Sequence, residues 1–262
     1  ADRLHCETFR KNALDCGVAS SVVRALWKFD ECDDVQVVAL HCVVFLARPI
    51  GGAEGMVYHR GMASRGLDAF LGESGGIAAV LRSMRIHGKN ANVQAMGCWS
   101  LVNLALNHQQ KLALLALDGL DAVLAAMAHH PTTLEVQFRA LFALINLVIP
   151  EAGSVSTNTM DCGENAAHAR VVRGVLAAMR HFPESEKLVR CGCLVLHNLS
   201  LDDKNVPHLL AFGVARPLQR AARSHKDADV QRSAVSTLRR LRVAVAPEHD
   251  VLQPTLRMDG SR

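Results

Sequence analysis

The chain repeats itself, and the repeat is helical. Five twelve-residue segments, Val35 to Leu46, Val93 to Leu104, Val136 to Leu147, Leu188 to Leu199 and Val230 to Leu241, align without a gap. Counting the first residue of each as zero, position four reads Ala39, Gly97, Ala140, Gly192 and Ala234. Position eight reads Val43, Leu101, Leu144, Leu196 and Leu238, and position eleven is leucine every time. Spacings of 0, 4, 8 and 11 fall on one stripe of a 3.6-residue helix. The small residue at position four leaves room for a neighbouring helix to come close. A short helix with one buried stripe cannot hide it alone, so copies at a fixed interval predict a stacked array.

A second helix is predicted before each of these, opening at Gly17, Gly76, Gly119, Val171 and Gly213. Apolar residues recur one, five and eight positions on, as in Ile77, Leu81 and Met84. Pro217 falls in a first turn, where its missing N–H does little harm. A third, shorter helix is predicted before most of these openings, as in Gln109 to Leu117 and Val206 to Phe212. The interval from Gly76 to Gly119 is 43 residues and from Val171 to Gly213 it is 42. Both lie in the range of armadillo and HEAT repeats.

The stretch Gly75-Gly76-Ile77-Ala78-Ala79-Val80-Leu81, followed by Val93 to Ala105 with its Trp99, Ser100, Leu101, Val102, Asn103 and Leu104, resembles the armadillo repeat of importin-α and β-catenin. The resemblance implies an all-α fold, a right-handed α-solenoid of about five armadillo-like helical repeats. The repeats fall at about 4–47, 67–107, 109–149, 165–201 and 204–246, a single armadillo-repeat domain over 1–246. Long loops are expected at 48–66 and 150–164, and a disordered tail at 247–262. The first and fifth repeats are degenerate, as terminal repeats often are.

Composition agrees with helix packing. Half of the 262 residues are hydrophobic but only 4% are aromatic, with alanine, valine and leucine dominant. The net charge of +4 does not call for nucleic acid or an anionic membrane. Its distribution is uneven. Asp30, Glu31, Asp33 and Asp34 cluster near the start, whereas residues 213–243 carry eight Lys or Arg against two Asp. The eight cysteines read as reduced, mostly buried thiols, because several sit inside apolar helical patterns. The N-terminus does not read as a signal peptide, and no apolar run approaches the roughly 18–20 residues of a membrane span. An intracellular protein, cytoplasmic or nuclear, is expected. The chain begins at Ala1, as a processed or trimmed piece of a longer protein would.

Catalytic readings fare poorly. Gly72-Glu73-Ser74-Gly75-Gly76 matches the G-x-S-x-G nucleophile elbow by letter, but the elbow needs a strand before the serine. Here the preceding Leu67 to Leu71 reads as helix, and the glycine pair is an inter-helix turn. Thirteen histidines show no H-E-x-x-H spacing. Cys191 and Cys193 are two apart, on different helix faces, and read as buried thiols. His129-His130 before Pro131 reads as a helix end. No phosphate-cradling loop or dinucleotide fingerprint occurs, so no enzyme, cofactor or metal is expected.

The resemblance also places a candidate site. In importin-α-like repeats a Trp and an Asn four residues later line a concave groove, the amide gripping a peptide backbone and the rings forming slots. Trp99–Asn103 matches that pair; Phe142–Asn146 and Leu194–Asn198 keep the Asn; His41–Phe45 and Ser236–Arg240 keep neither. The expected partner-binding residues are therefore Trp99, Asn103, Phe142, Asn146 and Asn198. The same asparagines, near helix ends, also suit caps or cross-links between repeats. Arg239, Arg240 and Arg242 read first as the polar face of a capping repeat, and second as contacts for an acidic or phosphorylated partner. The expected function is a scaffold binding an extended or helical segment of a protein or peptide partner. Alternatives are an architectural section of a larger signalling or scaffold protein and, below that, nucleic-acid binding through the basic last repeat. No stacking aromatics interleave its arginines beyond Phe212.

Overall fold

The computed structural model describes residues 2–47, 75–106, 108–149 and 162–243. Those residues form thirteen helices and no strand. In chain order they are α1 (Asp2–Asp15), α2 (Val18–Lys28), α3 (Asp33–Leu46), α4 (Gly76–Ile86), α5 (Ala91–Leu104), α6 (His108–Ala116) and α7 (Gly119–His129). There follow α8 (Leu134–Leu147), α9 (Cys162–His181), α10 (Glu186–Leu199), α11 (Asn205–Ala211), α12 (Ala215–Ser224) and α13 (Ala228–Arg240). The fold is an all-α solenoid. The expected loops over 48–66 and most of 150–164, and the tail from 247, lie outside the described residues; so does Ser74.

Each aligned segment is one helix: α3, α5, α8, α10 and α13. These pack side by side in one row, and each also packs on the helix before it. The predicted stripe is the core. Val43, Leu46, Leu101, Leu104, Leu144, Leu196 and Leu238 are at most 3% exposed, in one apolar cluster running the length of the stack. The small residue at position four meets the second helix of its own repeat. A Cβ added at Gly97 would stand 2.4 Å from Met84 Cγ, and one at Gly192 2.7 Å from Met179 Sδ.

Where a second helix opens, the turn before it needs a left-handed backbone. Gly17, Gly75 and Gly213 supply it with φ of 75°, 64° and 75°, and Asp118 with 62°. That conformation costs glycine little and L-residues more. The fourth repeat has Arg170 and Val171 there instead. Val171 consequently opens nothing: α9 runs unbroken from Cys162 to His181, fusing two expected helices and starting inside the expected loop.

A device absent from the sequence reading closes the helix ends. The last carbonyls of a helix lack intrahelical partners. Buried Gln36 donates from Nε2 to Leu26 O and Phe29 O at the end of α2. Gln94 does the same to Met84 O (2.7 Å) and His87 O (3.1 Å) after α4, and Gln137 to Met127 O and His130 O after α7. One amide thus satisfies two carbonyls and fixes the angle between consecutive helices. Gln231 donates once, to His225 O. The fourth repeat has Val189 at this position and lacks the bond.

Replacing Gln94 by alanine strands two carbonyls in the core. We expect a loss of about 2–3 kcal/mol in chemical denaturation. An unchanged midpoint would show that the carbonyls find water instead.

Candidate functional site

The row of third helices carries the five expected partner-binding residues, and successive repeats present them at matching positions; Arg242 lies just beyond the end of α13. Phe142 on α8 is 38% exposed, stacked on Phe138 with ring centroids 6.2 Å apart. Trp99 on α5 and Asn146 on α8 are half-buried, as is Asn198 on α10. Asn103 is buried.

The asparagine amides hold neighbouring repeats together. Asn103 Nδ2 donates to Val44 O (2.8 Å), Asn146 Nδ2 to Val102 O (3.0 Å) and Asn198 Nδ2 to Ile145 O (2.9 Å). Each acceptor lies at position nine of the preceding third helix, so one link recurs three times. Ser100 and Thr237 add hydroxyl bonds to Leu40 O and Cys193 O, again one repeat back. In the last repeat Arg240 stands where the asparagine would. Its Nε reaches Ser200 O, and its Nη2 reaches Leu201 O and Asp203, each at 2.9 Å. Arg240 therefore caps the end of α10, a favourable place for a cation. Arg239 and Arg242 are exposed and have no ion pair among the described residues.

Trp99 has an occupant. The Arg139 guanidinium on α8 lies 4.1 Å from the Trp99 ring centroid. It is held there by an ion pair with Glu135 and by a 3.5 Å contact from Nη1 to Met96 Sδ. The sequence reading missed this residue, because the pair spans two repeats.

A second line of links runs along the turns that precede the third helices. His87 Nε2 donates to Asp30 O at 2.6 Å while Nδ1 faces Asp33 at 2.5 Å. Asn90 bonds Asp33, and His130 Nε2 donates to Gly88 O across repeats. Much of the acidic cluster near the start is thus engaged within the stack. His130, read from sequence as a helix end, is both that and a cross-link.

The face offers little for covalent chemistry. Burial pushes the thiols of Cys98, Cys191 and Cys193 up to about 12, and thiols rather than thiolates are poor nucleophiles. Cys16 and Cys32 are exposed and Cys42 partly so, which makes the thiols less uniformly buried than expected. Burial first, then the Arg240 charge, holds His197 below the usual imidazole range. Among the described residues no group of three or more His, Cys, Asp or Glu converges on one point. No single described helix is long and apolar enough to cross a membrane; α6 and α7 reach that length only together, bent by 68°.

No family model matches the sequence, and no curated protein sequence matches it. Solved structures do match in shape. An engineered protein superposes with a TM-score of 0.68 at 16% identity, over 90% of this chain and 86% of its own. A computationally designed armadillo repeat protein for modular peptide recognition gives 0.66 at 17%, over 88% and 85%. A designed armadillo repeat protein in complex with the peptide (KR)4 gives 0.66 at 15% over the same shares. The chain has an armadillo-like repeat fold.

Two outcomes test this geometry. Asn103→Asp keeps the shape but removes the donor to Val44 O, and should lower stability by about 2 kcal/mol in denaturant unfolding. His197 should titrate below the ordinary imidazole range by NMR and move up towards it in Arg240→Met. A midpoint unmoved by that change would exclude the Arg240 charge as a cause.

Proposed function

We propose that the chain is a non-catalytic scaffold that binds an extended or helical segment of a partner protein along the row of third helices. One observation carries the reading: α5, α8 and α10 stack into one face on which Trp99, Phe142, Asn146 and Asn198 emerge at matching positions. A surface with a repeated spacing suits a chain with its own repeated spacing, whether strand or helix. The designed neighbours named for peptide recognition support this use of the fold. Asn103 contributes by holding the face in shape, and Phe142 is its most exposed ring. The reading goes with an intracellular setting, in which exposed thiols such as Cys16 and Cys32 stay reduced.

The test is capture from cell lysate with wild-type protein and with Trp99→Ala/Phe142→Ala, after circular dichroism shows both folded. Proteins lost with the variant alone support the face. An identical catch from both rejects it.

Two exposed apolar side chains favour the architectural reading. Val38 on α3 is 64% exposed. It occupies the position from which Arg139 reaches back to the preceding repeat. Phe9 on α1 is 68% exposed as well. Under this reading a neighbouring domain covers that end, and Val38→Glu abolishes capture. Under the groove reading Val38→Glu leaves capture unchanged.

A further inference from the structure

We infer that Arg139 is a built-in occupant of the Trp99 face, closing it to basic side chains and turning this groove towards an acidic segment of a partner protein. The inference rests on the groove reading above and names the chemistry of what binds there.

The indole face is the strongest cation site among the aromatic side chains, because its quadrupole attracts positive charge. Here that site is filled from within. The guanidinium sits 4.1 Å from the ring centroid, and the Arg139 side chain is only 12% exposed. Glu135 and Met96 hold it from two further directions. An incoming Lys or Arg would have to displace a cation that is already stacked and paired. It would also approach against a like charge.

The rest of the face extends the same field. Arg190 on α10 and Arg232 on α13 share one carboxylate, Asp229. Arg240 is paired with Asp203, while Arg239 and Arg242 are exposed with no ion pair among the described residues. Over α8, α10 and α13, five arginines and Lys187 thus stand against three carboxylates, Glu135, Glu186 and Asp229. Between these charges lies the Phe138–Phe142 stack, half open to solvent. The occupant that fits carries an apolar side chain for Phe142 and carboxylates towards the fourth and fifth repeats. A basic octapeptide of the kind held by one designed neighbour does not fit.

Fluorescence anisotropy with labelled (DE)4 and (KR)4 peptides tests this on the whole chain. Wild type is expected to bind (DE)4 more tightly than (KR)4, with an affinity that falls as salt rises. Arg139→Ala should raise the affinity for (KR)4 about tenfold, by freeing the ring and removing one like charge. Adding Trp99→Ala should abolish that gain. Arg239→Glu, at an exposed site, should weaken (DE)4 by about threefold to tenfold and serves if Arg139→Ala folds poorly. Equal binding of both peptides by wild type overturns the inference. So does no binding of either peptide, or a (KR)4 affinity unmoved by Arg139→Ala. Selective loss of lysate proteins with Trp99→Ala/Phe142→Ala would still uphold the groove in those cases, so the two readings fail separately.

Discussion

Side-chain amides satisfying helix-end and inter-helix carbonyls are the interaction on which the rest of this stack depends. A solenoid of short helices has many ends, and every end leaves carbonyls without a backbone donor. Burying them unpaired costs about 1–3 kcal/mol each, which a stack of alanine, valine and leucine could not absorb five times over. Gln36, Gln94 and Gln137 remove that cost inside the first three repeats, two carbonyls at a time. Asn103, Asn146 and Asn198 do the corresponding work between repeats. Hydrophobic burial brings the helices together but fixes no register. Directional bonds from amides at matching positions do, and so they decide how the third helices line up.

That alignment ties stability to the candidate binding face. The asparagines are both the cross-links and the residues that the armadillo resemblance assigns to peptide contact. Their Nδ2 atoms are committed to neighbouring repeats, so their donors serve the fold first. Under the proposed function, contact with a partner falls more heavily on side chains that the stack does not need: the open edge of Phe142 and the arginines beyond it. Arg240 shows the same economy at the end of the array. On α13 a longer, charged side chain takes the asparagine's position and closes α10 with two bonds to carbonyls and one to Asp203.

The fold was legible in the sequence because its cause is local and periodic. Leucine at position eleven and a small residue at position four recur without exception, and both prove to be packing constraints, the latter against Met84 and Met179. The glutamines at position one were equally periodic, in Gln36, Gln94, Gln137 and Gln231. They went unread because a polar residue within a buried stripe registers as noise unless its partner is known. The fused α9 was missed for the opposite reason. A helix break was expected from alignment, but the left-handed turn that makes the break was supplied by no residue there. The site was legible only as positions on a face. Which atoms remain available on that face depends on contacts between residues 37 to 60 apart, and helical periodicity carries no information across that distance.

Arg139 brings these points together. Within its own helix it looks like a solvated arginine paired with Glu135 one turn earlier, an arrangement worth a few tenths of a kcal/mol on an exposed helix. Across the repeat boundary it covers Trp99, and the ion pair then acts as a brace for the stacked guanidinium. A tryptophan left open on a repeat face would attract any cation presented at the right spacing. Covering it from within trades general stickiness for selectivity, since discrimination between partners rests on what a surface repels as much as on what it attracts. The basic last repeat adds the attractive half. Both follow from placing arginines on third helices whose register the buried amides have already fixed.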